Sequence, residues 1–429
     1  MKFRLLLLLL LSVISASASA GELSFSGELV YDAAFQVDDS EIQKQQLLSI
    51  NDVDYYFNGG ASVSARVNLN YDIDNRLHRD YDSVFTYSDA SKPYYFDNGW
   101  ADLRELYVDI PLNGHFLRLG KQHVAWGATD GLRVLDIVNP VDYKEFVLAP
   151  FEESRIPTWM INYSHRFDQY TAQLLIIPDQ TLSFVPNGAF MPTSPLVSPT
   201  INHSRAATFE NEHPDELRGE TDVALRIGRS FSGHDVNLVI ARQTDKDYVY
   251  RREVTSEGVT YRPYAPRSNI YGASYSTAMG DYVLRSELAY STDKAYFTQS
   301  NDGNGIELAR TANYGVALDW YGASDSVITF QLFQDIILES ANNLYQDKTE
   351  TTWSLNLSKD LLNQRYVVEA MIMQNLNRQD GFTSFNIRHN FSDSVTLKAG
   401  FDYFFGDTDG LFGQFSDKDR LTFAAHYTF

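Results

Sequence analysis

The chain has 429 residues and a formal charge of −21, with 35 Lys and Arg against 56 Asp and Glu. That balance disfavours nucleic acid as a partner, because neutralising phosphates takes a basic surface. Cysteine is absent, which excludes structural disulfides and a lipidated N-terminal anchor, so sheet pairing and burial must hold the fold.

Met1-Lys-Phe-Arg4 is a short basic stretch, 5–14 is apolar with one serine, and 15–20 supplies small residues for cleavage after Ala20. Residues 1–20 are therefore expected to be a signal peptide for Sec export, leaving 21–429 as one domain. Nothing later approaches ~18 uninterrupted apolar residues, so no transmembrane helix is expected. Mean hydropathy is −0.30, too polar for a helical membrane protein. A barrel faces lipid with only every second residue, and for it that average says little.

Beyond the signal, apolar and polar residues alternate with a period of two. The run 23–35 does so first, and a weaker one is hidden in 47–57. The segment 61–73 is cleanest: Ala61, Val63, Ala65, Val67, Leu69, Tyr71 and Ile73 face one way, with Ser62, Arg66, Asn68 and Asp72 opposite. This is the pattern of a strand between lipid and a polar interior. The tight turn Asn113-Gly114 then sets Leu106, Val108 and Ile110 beside Leu117 and Leu119. Arg104 and Lys121 continue that face outward, where they either meet lipid phosphates or mark the end of the apolar band.

The connection 124–157 is the most unusual. It carries Trp126-Gly127, an apolar stretch 132–138, Asn139-Pro140-Val141-Asp142, and Glu152-Glu153-Ser154-Arg155. Long loops are usually functional or disordered, and the apolar stretch argues for a surface to cover. Two placements follow: a constriction folded into the lumen, with Trp126, Asp142, Glu152, Glu153 and Arg155 at the narrow point, or an external cap. A second long loop, 179–219, is richer in Pro, Ser and Asn and is expected outside.

Leu117-Arg-Leu-Gly-Lys-Gln-His-Val-Ala-Trp-Gly127, with Asn139-Pro-Val-Asp142 and the following Glu152 to Pro157, resembles a proteobacterial outer-membrane family called DUF1302. Ala128 departs from it, since an acidic residue commonly follows Trp-Gly there, and the region of Pro150 is less glycine-rich. The motif covers about forty residues. The resemblance implies an outer-membrane barrel, often associated with transporters of lipid or hydrophobic compounds. It transfers no catalytic residue.

Alternation returns along the C-terminal half, for example at Tyr314, Val316, Leu318 and Trp320, and at Val395, Leu397, Ala399, Phe401 and Tyr403. Short turns such as 167–168, 231–234, 322–325 and 391–394 alternate with longer loops, the asymmetry of periplasmic and extracellular ends. The chain closes on Leu421-Thr-Phe-Ala-Ala-His-Tyr-Thr-Phe429. There Phe423, Tyr427 and Phe429 fit a recognition signal for the barrel-assembly machinery by strand addition. Counting back from Phe429 gives sixteen strands from 61 onward. The run 23–35 then either pairs with 47–57, making eighteen, or is an extension; sixteen is preferred.

With that parity, Arg66, Glu105, Arg118, Arg226, Arg285, Glu287, Asp319, Asp335, Glu369, Arg388, Lys398 and Asp402 point inward. On the lipid face each would cost about 2–4 kcal/mol near the midplane. They either screen solutes along a pore or form a salt-bridged wall. Enzyme readings are weak: of nine His only His426 projects inward from a strand, and no nucleophile elbow occurs. Asp407-Thr-Asp409-Gly410 and Asn301-Asp-Gly-Asn304 lack the spacing of a calcium loop, and no cofactor is indicated.

The expectation is an all-β transmembrane antiparallel up-and-down β-barrel in the outer membrane of a Gram-negative bacterium, acting as a porin-like channel for small solutes. The alternative is a lipid or hydrophobic-compound transport partner of an inner-membrane transporter; an outer-membrane hydrolase comes third. Outer-membrane lipids and lipopolysaccharide are expected neighbours, and a homotrimer is open.

Overall fold

The computed structural model describes residues 21–38, 41–76, 85–186, 188–200, 206–256, 258–300, 303–340 and 343–429, with Phe151 and Glu152 described by backbone alone. The signal segment expected over 1–20 lies outside the described residues.

Eighteen strands close into one antiparallel barrel. The first half comprises β1 (Glu22–Gln36), β2 (Ile42–Tyr56), β3 (Ser62–Asp72), β4 (Gly99–Leu112), β5 (His115–Gln122), β6 (Thr158–Phe167), β7 (Tyr170–Ile177), β8 (Asp222–Phe231) and β9 (His234–Thr244). The second comprises β10 (Arg267–Met279), β11 (Tyr282–Phe297), β12 (Ile306–Trp320), β13 (Ser326–Ile337), β14 (Thr349–Leu361), β15 (Tyr366–Asn375), β16 (Gly381–Asn390), β17 (Val395–Phe405) and β18 (Arg420–Thr428). Each pairs with the next, and β18 closes on β1 with Tyr427 opposite Leu29 and Leu421 opposite Phe35. Closure leaves no open edge, which is what allows strands to cross a bilayer. Among the described residues no helix is long and apolar enough to cross a membrane.

The preferred count of sixteen strands is corrected to eighteen. The run 23–35 pairs along its length with β2, Phe25 opposite Val53 and Leu29 opposite Ser49. β2 is faint in the sequence because Leu47 and Val53 share their outward face with Ser49 and Asn51. Those two polar groups satisfy each other, Asn51 Nδ2 donating to Ser49 Oγ at 3.0 Å.

The outer band is apolar. Leu238, Ile240, Leu288, Phe330, Phe385 and Leu421 are all exposed on it, and each strand turns its intervening residues to the lumen. One end of the barrel carries short turns. At 232–233 both residues have positive φ (48° and 83°), the geometry that suits a two-residue hairpin. The other end carries the long connections, three of which decide the interior: 123–157, 178–221 and 245–266.

β5 to β8 are only 8 to 10 residues long, against 15 or 16 for β1 and β11. Loop segments build up this low wall. Asp179 accepts hydrogen bonds from the Trp159 amide (3.0 Å) and Ser91 Oγ (2.6 Å), and Trp159 Nε1 donates to the Ala90 carbonyl at 3.1 Å. Arg104 and Lys121 do not form a lipid-facing rim. A bulge between Arg66 and Val67 breaks the alternation beside Arg104, whose Nη2 donates to the Glu153 carbonyl at 2.6 Å and to that of Arg155. Lys121 is buried, its Nζ 3.3 Å from the Asp102 carboxylate.

A candidate lumen constriction

The connection 123–157, here the lumen loop, leaves β5 and crosses the inside of the barrel. Its base is pinched by Asn139 of the Asn-Pro-Val-Asp motif. That side chain is fully buried, accepts from the Val124 amide at 2.7 Å and donates to the Ile156 carbonyl at 2.9 Å. Trp126 follows, its Nε1 donating to Gln173 Oε1 at 2.9 Å. Its ring packs with Val138 against Met160, Leu175 and the small inward residues Ala224 and Ala241. Small wall residues leave the volume that the loop's apolar side chains fill.

Glu287 on β11 holds the next turn. Its carboxylate accepts from the backbone amides of Ala128, Thr129 (2.7 Å) and Leu135 (2.9 Å). Arg285, two residues earlier, is bidentate with Asp319 (2.9 and 2.7 Å), pairs with Asp130 at 2.9 Å and donates to the Ala128 carbonyl at 2.5 Å. Leu135 seats against Gly272, where an added Cβ would lie 2.3 Å from Leu135 Cδ2. Arg155 and Arg133 share Asp136 at 2.8 and 3.3 Å.

Further along, Glu145 reaches the opposite wall. It sits 2.6 Å from Lys44 Nζ on β2 and 2.8 Å from Arg420 Nη1 on β18. Lys44 also pairs with Asp32 at 2.5 Å and Arg420 with Asp402 at 2.8 Å. Burial works against the Glu145 anion, but the two cations overcome it and hold its carboxyl down to about 2. Breaking a buried pair by removing one partner typically costs about 3–5 kcal/mol.

A cavity of about 770 Å³ remains along one flank of this loop, between it and the wall of β13 to β16, roofed by the loops 178–221 and 406–419. The loop 178–221 lies at the mouth and turns inward there: Phe190 packs with Phe382, Phe404, Phe412 and Phe415.

The other residues singled out from the sequence fall as follows. Arg66 pairs with Asp52 (2.6 Å) and Arg118 with Asp109 (2.6 Å), both across neighbouring strands. Glu105 meets His123 at 2.5 Å, and Arg226 donates to Asn237 Oδ1 at 3.1 Å. Asp335 accepts from Asn313 Nδ2, Glu369 lines the cavity, and Arg388 and Lys398 stand opposite each other in register. Asp142 pairs with Lys144 at 2.8 Å. Glu153 presents its carbonyl to Arg104, and Glu152 lies in a single helical turn, Phe151–Ser154, its side chain outside the described residues. Phe423, Tyr427 and Phe429 are exposed on the outer face of β18 and beyond it, with the Phe429 ring 6.0 Å from that of Phe25. His426 meets Glu28 at 2.7 Å.

The sequence reading missed Lys44, Glu145 and Arg420. Arg420 carried a signal, since it alternates inward on the terminal strand, whereas Lys44 sat on the strand left uncounted. Among the described residues no group of three or more His, Cys, Asp or Glu is placed to hold a metal ion.

These features define a transmembrane β-barrel with a loop fixed across its lumen. The family model described as "Protein of unknown function (DUF1302)" matches residues 47–376, and the chain belongs to that family. Among solved structures it is similar to OccAB2 of Acinetobacter baumannii (TM-score 0.55, 11% identity, 95% of this chain and 98% of that one). It is also similar to OccK8 (OprE) of Pseudomonas aeruginosa (0.54, 10%, 95% and 98%) and to OpdK of the same organism, solved with vanillate (0.52, 10%, 95% and 98%). At these identities the likeness is one of fold. A search of curated proteins finds no significant match.

Proposed function

We propose that the protein is a channel of the bacterial outer membrane through which small solutes pass, with the lumen loop setting the narrowest point. The observation that carries this is the combination of a loop tied to β11 and to the β2–β18 wall with a cavity of about 770 Å³ along its flank. A loop meant only to plug a barrel would not need to leave a space of that size beside it. In this reading Arg285, Glu287, Asp319, Lys44, Arg420 and Asp402 position the constriction. Glu369, Arg388 and Lys398, which form no ion pair among the described residues, face the solute. Wall charges in a narrow pore act strongly because little water screens them.

Liposome swelling tests it. Proteoliposomes should admit a pentose faster than a disaccharide, and a protein-free control should admit neither. Equal swelling with and without protein, for every sugar, sinks the channel.

A further inference from the structure

Carboxylates outnumber cations in this chain, and along the inner wall they take them as partners. Arg66 stands 2.6 Å from Asp52, Arg118 2.6 Å from Asp109, Arg285 2.7 Å from Asp319 and Arg420 2.8 Å from Asp402. Arg388 on β16 and Lys398 on β17 depart from this. They stand directly opposite each other in register, and among the described residues neither side chain forms an ion pair or a hydrogen bond. Both point to the lumen, because Ile387 and Tyr403, of the opposite parity on the same strands, are exposed on the outer band. Both keep open surface, and of their side-chain nitrogens only Arg388 Nε is enclosed.

Like charges directly opposite across a sheet destabilise it, and nothing on the wall beside this pair relieves the repulsion. Val367 and Ala424 flank it on β15 and β18. Above it Asn386 Nδ2 donates to Ser384 Oγ at 3.1 Å, and below it Asn390 Nδ2 donates to the Gln364 carbonyl at 2.7 Å. His426, diagonal to Lys398, is held by Glu28 at 2.7 Å. Two carboxylates come near without reaching ion-pair distance: Glu369, diagonal to Arg388, and Glu153 of the lumen loop, which senses Lys398 through space. The wall thus holds two cations together at a loss of stability, and an anion between them removes that loss.

We infer that Arg388 and Lys398 form a binding station for the oxyanion of a small solute, with a doubly charged phosphate preferred to a single carboxylate. The inference rests on the channel reading and names its substrate class. The guanidinium offers a planar fork that fits either group, and the ammonium adds a compact point charge. Each cation attracts separately, so the pair favours two negative charges over one. Asn386, the next inward residue on β16 toward the extracellular side, lines the cavity of about 770 Å³. The pair therefore stands between that cavity and the short turns, on the path of a solute crossing the barrel.

The test uses full-length protein in planar bilayers, in dilute KCl where screening is weak, with inorganic phosphate and acetate as probes at about pH 8, where phosphate is largely doubly charged. Phosphate should reduce the single-channel current saturably, and acetate should need about tenfold more to do the same. Arg388→Gln and Lys398→Gln should each raise the half-blocking phosphate concentration about tenfold, the size of one charge-assisted hydrogen bond. Arg226→Gln, which removes another inward cation, should leave it unchanged. A second readout needs no current. Phosphate replacing chloride at equal ionic strength should raise the heat-modification midpoint of wild type but not that of the double Gln variant, which in chloride should be at least as stable as wild type. Acetate blocking as well as phosphate, or an equal loss of block in Arg226→Gln, overturns the inference in favour of a diffuse field. Conduction with neither block nor midpoint shift removes the station alone. A phosphate-dependent shift that needs both cations, without conduction, keeps the station and removes the channel.

Discussion

Glu145 accepts a hydrogen bond from Arg420 at 2.8 Å across 275 residues of sequence. That contact ties the lumen loop to the strand that closes the barrel, and through Lys44 to the second strand on the far side of the seam. Loop insertion and barrel closure are therefore coupled through one carboxylate.

Replacing Glu145 by Gln should lower the temperature at which the barrel unfolds on heated gels. Lys44 and Arg420 keep Asp32 and Asp402, so the loss should fall near the lower end of the ~3–5 kcal/mol expected for a broken buried pair. An unchanged midpoint would show that the loop is not held there.

The same carboxyl gives a pH signature. Its value in the fold is about 2, below the ordinary 4.5. A carboxyl lowered by folding contributes stability that is fully present above its ordinary value and is lost as pH falls toward its folded one. The thermal midpoint of wild type should therefore drop between pH 4.5 and about 2 more steeply than that of Glu145→Gln. Parallel curves for the two proteins would rule out this origin.

Glu287→Ala removes the acceptor for the amides of Ala128, Thr129 and Leu135. Each buried donor left unpaired costs about 1–3 kcal/mol, so the loop should detach locally before the barrel unfolds. Hydrogen exchange should show faster exchange at 128–135 with the strands still protected. Global loss of protection, or none, would contradict it.

Gly272→Val places side-chain atoms where Leu135 Cδ2 now lies, 2.3 Å from the position of a Cβ. Overpacking of this kind costs about 1–3 kcal/mol. The loop should move off the wall and expose Arg133 to trypsin in the folded barrel, whereas wild type stays uncut. Equal resistance would mean that Leu135 finds another rotamer.

Much of the wall was legible in the sequence, because lipid on one face and water on the other impose a two-residue period wherever both faces keep to type. Residues 61–73 do so and 42–56 do not, since Ser49 and Asn51 satisfy one another on the lipid side. The apolar stretch 132–138 announced a loop seeking a surface, and Val138, Val134 and Leu135 are buried against the inner wall. Which wall residues receive the loop was not legible. Glu287 looks like any inward carboxylate until three amides are folded onto it, and the bulge that turns Arg104 inward leaves no mark in the spacing. Partner choice at long sequence separation is set by closure and loop docking together.

Single-channel conductance of wild type against a variant lacking residues 128–152 tests the central claim most directly. The account predicts steady, small current steps for wild type and steps several-fold larger once the loop is gone. Equal steps would contradict a constriction formed by this loop, and no steps from either protein would contradict a channel.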